Sequence, residues 1–180
     1  MVSSPDLSLV ARRVRSGDTA AFRDLVEHTQ GDLFRLAARL LGSAADADEV
    51  LQDAYMKAYR ALCDGKFDGR AGVRTWLYRV VTNTALDALR RRAVRPAGDD
   101  AELETAVDSA PGADAQMALA ELARWLDALP PDQRAALVLC GIEGLTNREA
   151  SAVLGISEGA VEQRLVRARA TLRERRGRDE

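Results

Sequence analysis

Residues 146–176, TNREASAVLGISEGAVEQRLVRARATLRERR, decide the fold of the C-terminal part of this 180-residue chain. Thr146 and Glu149 have the S/T-x-x-E spacing of a capping box, which predicts a helix beginning at Asn147. Gly155 follows Leu154 where a left-handed C-cap is wanted, and Ser157 is a good N-cap for a second helix. Ala150, Val153, Leu154, Ile156, Val161, Leu165, Ala168 and Leu172 make one apolar stripe across both helices. Glu158, Gln163, Arg164 and Arg167 are left facing outward. Residues 155–178 carry seven Arg against three Glu. Such a pair is a helix-turn-helix, and DNA is its leading candidate partner. Two amphipathic helices joined at a glycine also occur in all-α proteins that never meet nucleic acid, so the rest of the chain must decide.

Leu, Ala and Arg dominate the composition, aromatic residues are 4%, and alternating β-branched runs are missing. An all-α protein follows. The length suits one ordinary domain or two small ones. The net charge of −2 hides a segregation: residues 1–92 carry 15 basic and 12 acidic groups, 93–115 carry 1 and 6, and 116–180 carry 10 and 10. Cys63 and Cys140 form no C-x-x-C pair and are expected as free thiols in a reducing compartment. The N-terminus has no apolar core flanked by basic residues, and no run approaches a membrane span. The expectation is a cytoplasmic protein with no membrane contact of its own.

The first block is expected to hold four helices: Asp6 to Arg15, one capped by Asp18 and ended by Gly42, one from Ala44 to Leu62, and one from Val73 to Arg92. The third has Val50, Leu51, Ala54, Tyr55, Ala58 and Leu62 at core spacing. The fourth has Trp76, Leu77, Val80, Val81, Ala85, Leu86 and Leu89 for a core, with Trp76 read as packing rather than base-stacking. Between them the loop CDGKFDGRAG (63–72) has three Gly and no helical pattern. Residues 93–115, AVRPAGDDAELETAVDSAPGADA, are rich in Pro, Gly and acid and read as a flexible linker. The second block opens with an amphipathic helix from about Gln116 to Ala128, is broken at Pro130-Pro131, and continues in a helix to about Ile142.

Four segments in this order, ADADEVLQDAYMKAYRAL (45–62), RTWLYRVVTNTALDALRRR (74–92), LPPDQRAALVLCGIEGLTNREASAVLGIS (129–157) and GAVEQRLVRARATLRE (159–174), resemble the extracytoplasmic-function sigma factors of bacterial RNA polymerase, in the sigma-70 family. The resemblance spans nearly the whole chain. It implies an all-α protein of two small helical domains joined by a flexible acidic linker. Residues 1–92 would be sigma domain 2, for core polymerase binding and −10 recognition and melting. Residues 93–115 would be the linker, either an RNA mimic in the polymerase channel or a plain tether. Residues 116–180 would be domain 4, the helix-turn-helix that reads the −35 element. The implied partners are core polymerase, promoter DNA and an anti-sigma factor.

The resemblance also assigns residues. Glu49, Gln52, Asp53 and Met56 would meet the paired clamp helices of the polymerase largest subunit, with Met56 as adaptable packing. A base flipped from the melted −10 strand needs a wall, amide groups and cations, which Lys66, Phe67, Arg70, Arg79 and Asn83 offer. Arg90, Arg91 and Arg92 would hold phosphates. In the major groove of the −35 element, Arg164 and Arg167 would contact guanine edges or phosphates and Gln163 an adenine, with Arg148 on the backbone. Glu162 departs from the family, which often has a cation there; its carboxylate suits cytosine N4.

An enzyme is the weaker class. His28 stands alone on an amphipathic helix, and no nucleophile–base pair, metal-ligand cluster or phosphate-binding loop is apparent, so no cofactor is expected. Asp46, Asp48 and Glu49 suit a helix N-terminus better than a metal. A stand-alone helix-turn-helix regulator would share residues 146–176, but gives no reason for the Gln52/Asp53 strip or the 74–92 helix.

Overall fold

The computed structural model describes residues 7–67, 69, 72–94 and 121–179, and among them all regular structure is helical. Each boundary has a local cause. Helix α1 (Leu7–Arg15) runs into Gly17, and Asp18 then starts α2 (Thr19–Leu41) by accepting the Ala21 N–H at 3.1 Å. That backbone hydrogen bond, followed by Arg13, holds the Asp18 carboxyl below its ordinary value. Gly42 ends α2 at φ 72, donating to Ala38 O. Ser43 accepts the Asp46 N–H and opens α3 (Ala44–Cys63), and α4 (Val73–Val94) follows the glycine-rich loop. Sequence and structure agree here to within a residue or two.

The first four helices form a bundle around Leu25, Leu33, Leu36, Leu40, Ala54, Ala58, Leu62, Leu77 and Val81, all nearly inaccessible to solvent. Emptying one such leucine site costs about 2–5 kcal/mol. Phe22 packs edge-on against Tyr55 and Tyr59, and the Tyr55 hydroxyl meets Thr29 at 2.8 Å.

The second block begins, within the described residues, with α5 (121–127). Pro131 occupies the first turn of α6 (Pro131–Leu137), where a missing N–H costs nothing. The helix expected to reach Ile142 changes character after Leu137: Val138–Ile142 form a π-helical turn. Then come α7 (Asn147–Leu154), with both halves of the Thr146/Glu149 capping box formed, and α8 (Glu158–Asp179). Between them Gly155 takes φ 67 and the Ser157 hydroxyl accepts the Ala160 N–H.

The two blocks pack on one another, with α6 and the π-helical turn against α2, and α7 against α4. One apolar cluster runs through both. This widens the core face expected of α4, whose Trp76, Val80 and Leu89 pack against the cluster. Tyr78, assigned to no core, is 2% exposed, whereas Trp76, Val80 and Leu89 are only partly buried. A helix covered on two sides buries a wide arc rather than one stripe. The first described residues of the second block touch the first block closely: at Gly42 an added Cβ would lie 2.5 Å from Asp127 Oδ1. The expected linker lies outside the described residues.

Candidate nucleic-acid interface

Helix α3 alternates its faces cleanly. Ala47, Val50, Leu51, Ala54, Ala58 and Leu62 point into the bundle, so Glu49, Gln52, Asp53 and Met56 are exposed together on the other side. Met56 is 53% exposed beside these polar groups. None of the four side chains has a hydrogen bond or ion pair among the described residues. Asp46 instead pairs with Arg92 at 3.2 Å, and no group of acids, His or Cys suited to a metal exists among the described residues.

In the loop before α4, Phe67 stacks at a tilt on Trp76, ring centroids 5.0 Å apart, while Lys66 stands exposed and pairs with Asp64 at 2.9 Å. Trp76 is therefore a half-buried support for Phe67. Arg70 lies outside the described residues. Arg79 and Asn83 are exposed on α4, one turn apart, as are Arg90, Arg91 and Arg92 at its C-terminal end. Arg90 bonds Asp87 at 2.9 Å across one turn, a surface pair worth at most about 1 kcal/mol and easily exchanged for a phosphate. The structure thus brings one aromatic pair, one amide and several cations to α4 and its leading loop.

On the helix-turn-helix, Val161, Leu165 and Ala168 seat α8 on α6 and α7. Gln163 and Arg167 stand exposed, and Arg148 is exposed at the start of α7. Arg164, expected to face outward, is more covered: its side chain is 25% exposed and donates to Asp132 at 3.2 Å. Asp132 sits in the first turn of α6, an element that spacing within 146–176 does not reach. Glu162 also has a neighbour, the Asn147 amide at 3.4 Å, which ties α8 to the start of α7. Backbone and side-chain hydrogen bonds from Thr146 hold the Glu149 carboxyl below its ordinary value.

Comparison with known proteins matches residues 25–95 to sigma-70 region 2 and residues 119–172 to sigma-70 region 4. The ECF RNA polymerase sigma factor SigM of Mycobacterium tuberculosis is 36% identical over 93% of this chain and 82% of its own. This chain belongs to the ECF sigma factors. SigE of Mycolicibacterium smegmatis is 37% identical over 88% of this sigma factor, which spans 64% of that relative's length. CnrH, solved in complex with the cytosolic domain of CnrY, superposes with TM-score 0.70 at 34% identity, over 97% of this chain and 99% of CnrH. RpoE of Bartonella quintana, solved with the anti-sigma factor NepR, shares the fold at TM-score 0.65 and 23% identity, over 85% of this chain and 94% of that one.

Sequence reasoning missed Val166. It is 65% exposed on α8, directly before Arg167, and off the stripe that Val161, Leu165 and Ala168 define. An apolar residue out of phase with its helix was the available signal. No described helix is long and apolar enough to cross a membrane.

Proposed function

We propose that this ECF sigma factor binds core RNA polymerase and directs promoter-specific transcription initiation, reading the −35 element as duplex and the −10 element as melted strand. The observation that carries the reading is the pairing of two family regions in one chain, each with a solvent-facing polar surface of fitting chemistry. Residues 1–92 act as domain 2 and residues 116–180 as domain 4, with 93–115 joining them.

In this reading the bare strip Glu49, Gln52, Asp53 and Met56 docks on a basic helical surface of the polymerase, where unpaired carboxylates lose no internal partner on binding. Lys66, Phe67, Arg70, Arg79 and Asn83 hold the flipped −10 base, with Arg90, Arg91 and Arg92 on the backbone. Helix α8 enters the major groove, Gln163, Arg164 and Arg167 addressing base edges and Arg148 a phosphate. Val166 suits a thymine methyl. Glu162, steadied by Asn147, accepts from cytosine N4 and repels phosphate elsewhere.

The relatives are sigma factors, so this chain regulates transcription and borrows its chemistry from the polymerase. It works in the cytoplasm without a cofactor of its own. An anti-sigma factor is the proposed partner that holds it inactive; RpoE of Bartonella quintana, which shares the fold, is solved in complex with one. A stand-alone helix-turn-helix regulator leaves the region 2 match unused. Run-off transcription with purified core polymerase tests the proposal. Specific transcripts that depend on this chain are expected; a chain that neither binds core nor directs initiation at any promoter refutes it.

A further inference from the structure

Three side chains form a line from the interior of the second block to the exposed face of α8. Cys140, half-buried in the π-helical turn, donates its thiol to Asn147 Oδ1, 3.8 Å away. Asn147, the first residue of α7, donates through Nδ2 to Glu162 Oε1 at 3.4 Å. Glu162 stands exposed on α8, and its Oε2 has no hydrogen bond among the described residues. Backbone hydrogen bonds set the first two members side by side. The Glu143 N–H donates to Val138 O at 2.9 Å and the Leu145 N–H to Leu139 O at 3.0 Å, which brings Asn147 back toward Cys140. Turns of this π-helical kind are frequent at functional sites, and this one carries the thiol.

A side-chain amide can be turned end for end, and both neighbours of Asn147 choose the same orientation. Burial pushes the Cys140 thiol above its ordinary value, against the opposing pull of Arg169, so the sulfur keeps its proton at neutral pH. Turned over, Asn147 would set its N–H groups against that proton and its oxygen against the Glu162 carboxylate. We infer that Asn147, oriented by the Cys140 thiol, is the positioning residue that presents the Glu162 carboxylate to a base edge. The inference rests on the proposed reading of the −35 duplex by α8 and sharpens it. The group recognised is an exocyclic amine such as cytosine N4, which donates to a carboxylate. One Glu162 oxygen is taken by Asn147 and the other is left for the base. A held carboxylate loses less side-chain freedom when it meets an amine, and it cannot swing clear of an opposing acceptor. Holding it therefore widens the gap between right and wrong bases.

The test compares the full-length wild type with Asn147→Asp, Cys140→Ala and Glu162→Gln in two arms. In NMR spectra of the free protein, the Asn147 side-chain amide signals, identified by their loss in Asn147→Asp, should move on Cys140→Ala and on Glu162→Gln. Signals that either substitution leaves unmoved overturn the relay, whatever the promoter result. In the second arm, holoenzymes bind duplexes randomised through the −35 element. Asn147→Asp keeps the size of the side chain and puts an acid in the first turn of α7, where the helix dipole favours it, so Tm should not fall. It should still lose about threefold or more of the preference at a single base pair, the one that Glu162→Gln also relaxes. Preferences at the other positions should stay unchanged, and Cys140→Ala should relax the same position by less. A role confined to folding would instead lower Tm and weaken all duplexes alike. A preference left intact by Asn147→Asp, or lost evenly at every position, overturns the positioning role, and one left intact by Cys140→Ala overturns the part of the thiol. A wild-type holoenzyme with no −35 preference removes the proposed reading of α8 and the positioning role with it, while the NMR arm still judges the relay.

Discussion

Helices α3 and α8 are the two exposed faces on which the proposed function depends, and they are prepared differently. On α3, Glu49, Gln52, Asp53 and Met56 have no internal partner among the described residues. On α8, Arg164 is already held by Asp132 and Glu162 by Asn147. A bare face breaks no internal pair on binding and suits one constant partner. A face whose charges are partly neutralised binds weakly unless the sequence repays the exchange. In the proposed function, polymerase docking on α3 would supply affinity and the helix-turn-helix would supply discrimination, a division suited to two linked modules.

This contrast ranks the expected effects of substitution. Changing Gln52 and Asp53 together to Ala should weaken core binding most, by about 10- to 100-fold, with an unchanged circular dichroism spectrum because both are exposed. On a duplex −35 probe, Arg167→Ala should cost about 1–3 kcal/mol if it contacts a base. Arg164→Ala should cost less, because its DNA contact is gained only by giving up Asp132. Equal losses at 164 and 167 would show that the Asp132 pair is idle. Glu162→Gln should tighten binding to duplexes lacking the contacted cytosine, narrowing selectivity, and steepen the salt dependence by up to about one unit, since a carboxylate no longer faces phosphates. Retained selectivity with unchanged salt dependence would remove Glu162 from the interface.

Two smaller effects concern the frames of these faces. Thr146→Ala removes the cap of α7 and should cost about 1 kcal/mol in chemical denaturation. Asp18 and Glu149 both have lowered carboxyl values in the fold. Their contribution is therefore present above the ordinary carboxylate range and is lost as pH falls through the depressed values. Stability measured across the acid limb should decline there, and Thr146→Ala should flatten the share that Glu149 supplies.

Local signals were legible in the sequence wherever one helix settles the matter. The capping box at Thr146, the glycine stops at Gly42 and Gly155, and the exposed strip of α3 were all written in spacing. What was hidden depends on partners distant in sequence. Tyr78 falls outside the apolar stripe of α4 and is buried only because that helix is covered from a second side, and Glu143 gains its partners only where α2 and α4 close around it. Asp132 and Arg164 are 32 residues apart, and nothing in their spacing joins them. The π-helical turn at Val138–Ile142 had no signal of its own in an apolar run.

The division of labour between the blocks is tested most directly by holoenzymes carrying Asn83→Ala or Arg167→Ala, compared for −35 duplex binding and for promoter opening by permanganate reactivity. Asn83→Ala is expected to impair opening while leaving duplex binding intact, and Arg167→Ala to weaken duplex binding first. The opposite pattern would contradict the assignment of the two faces.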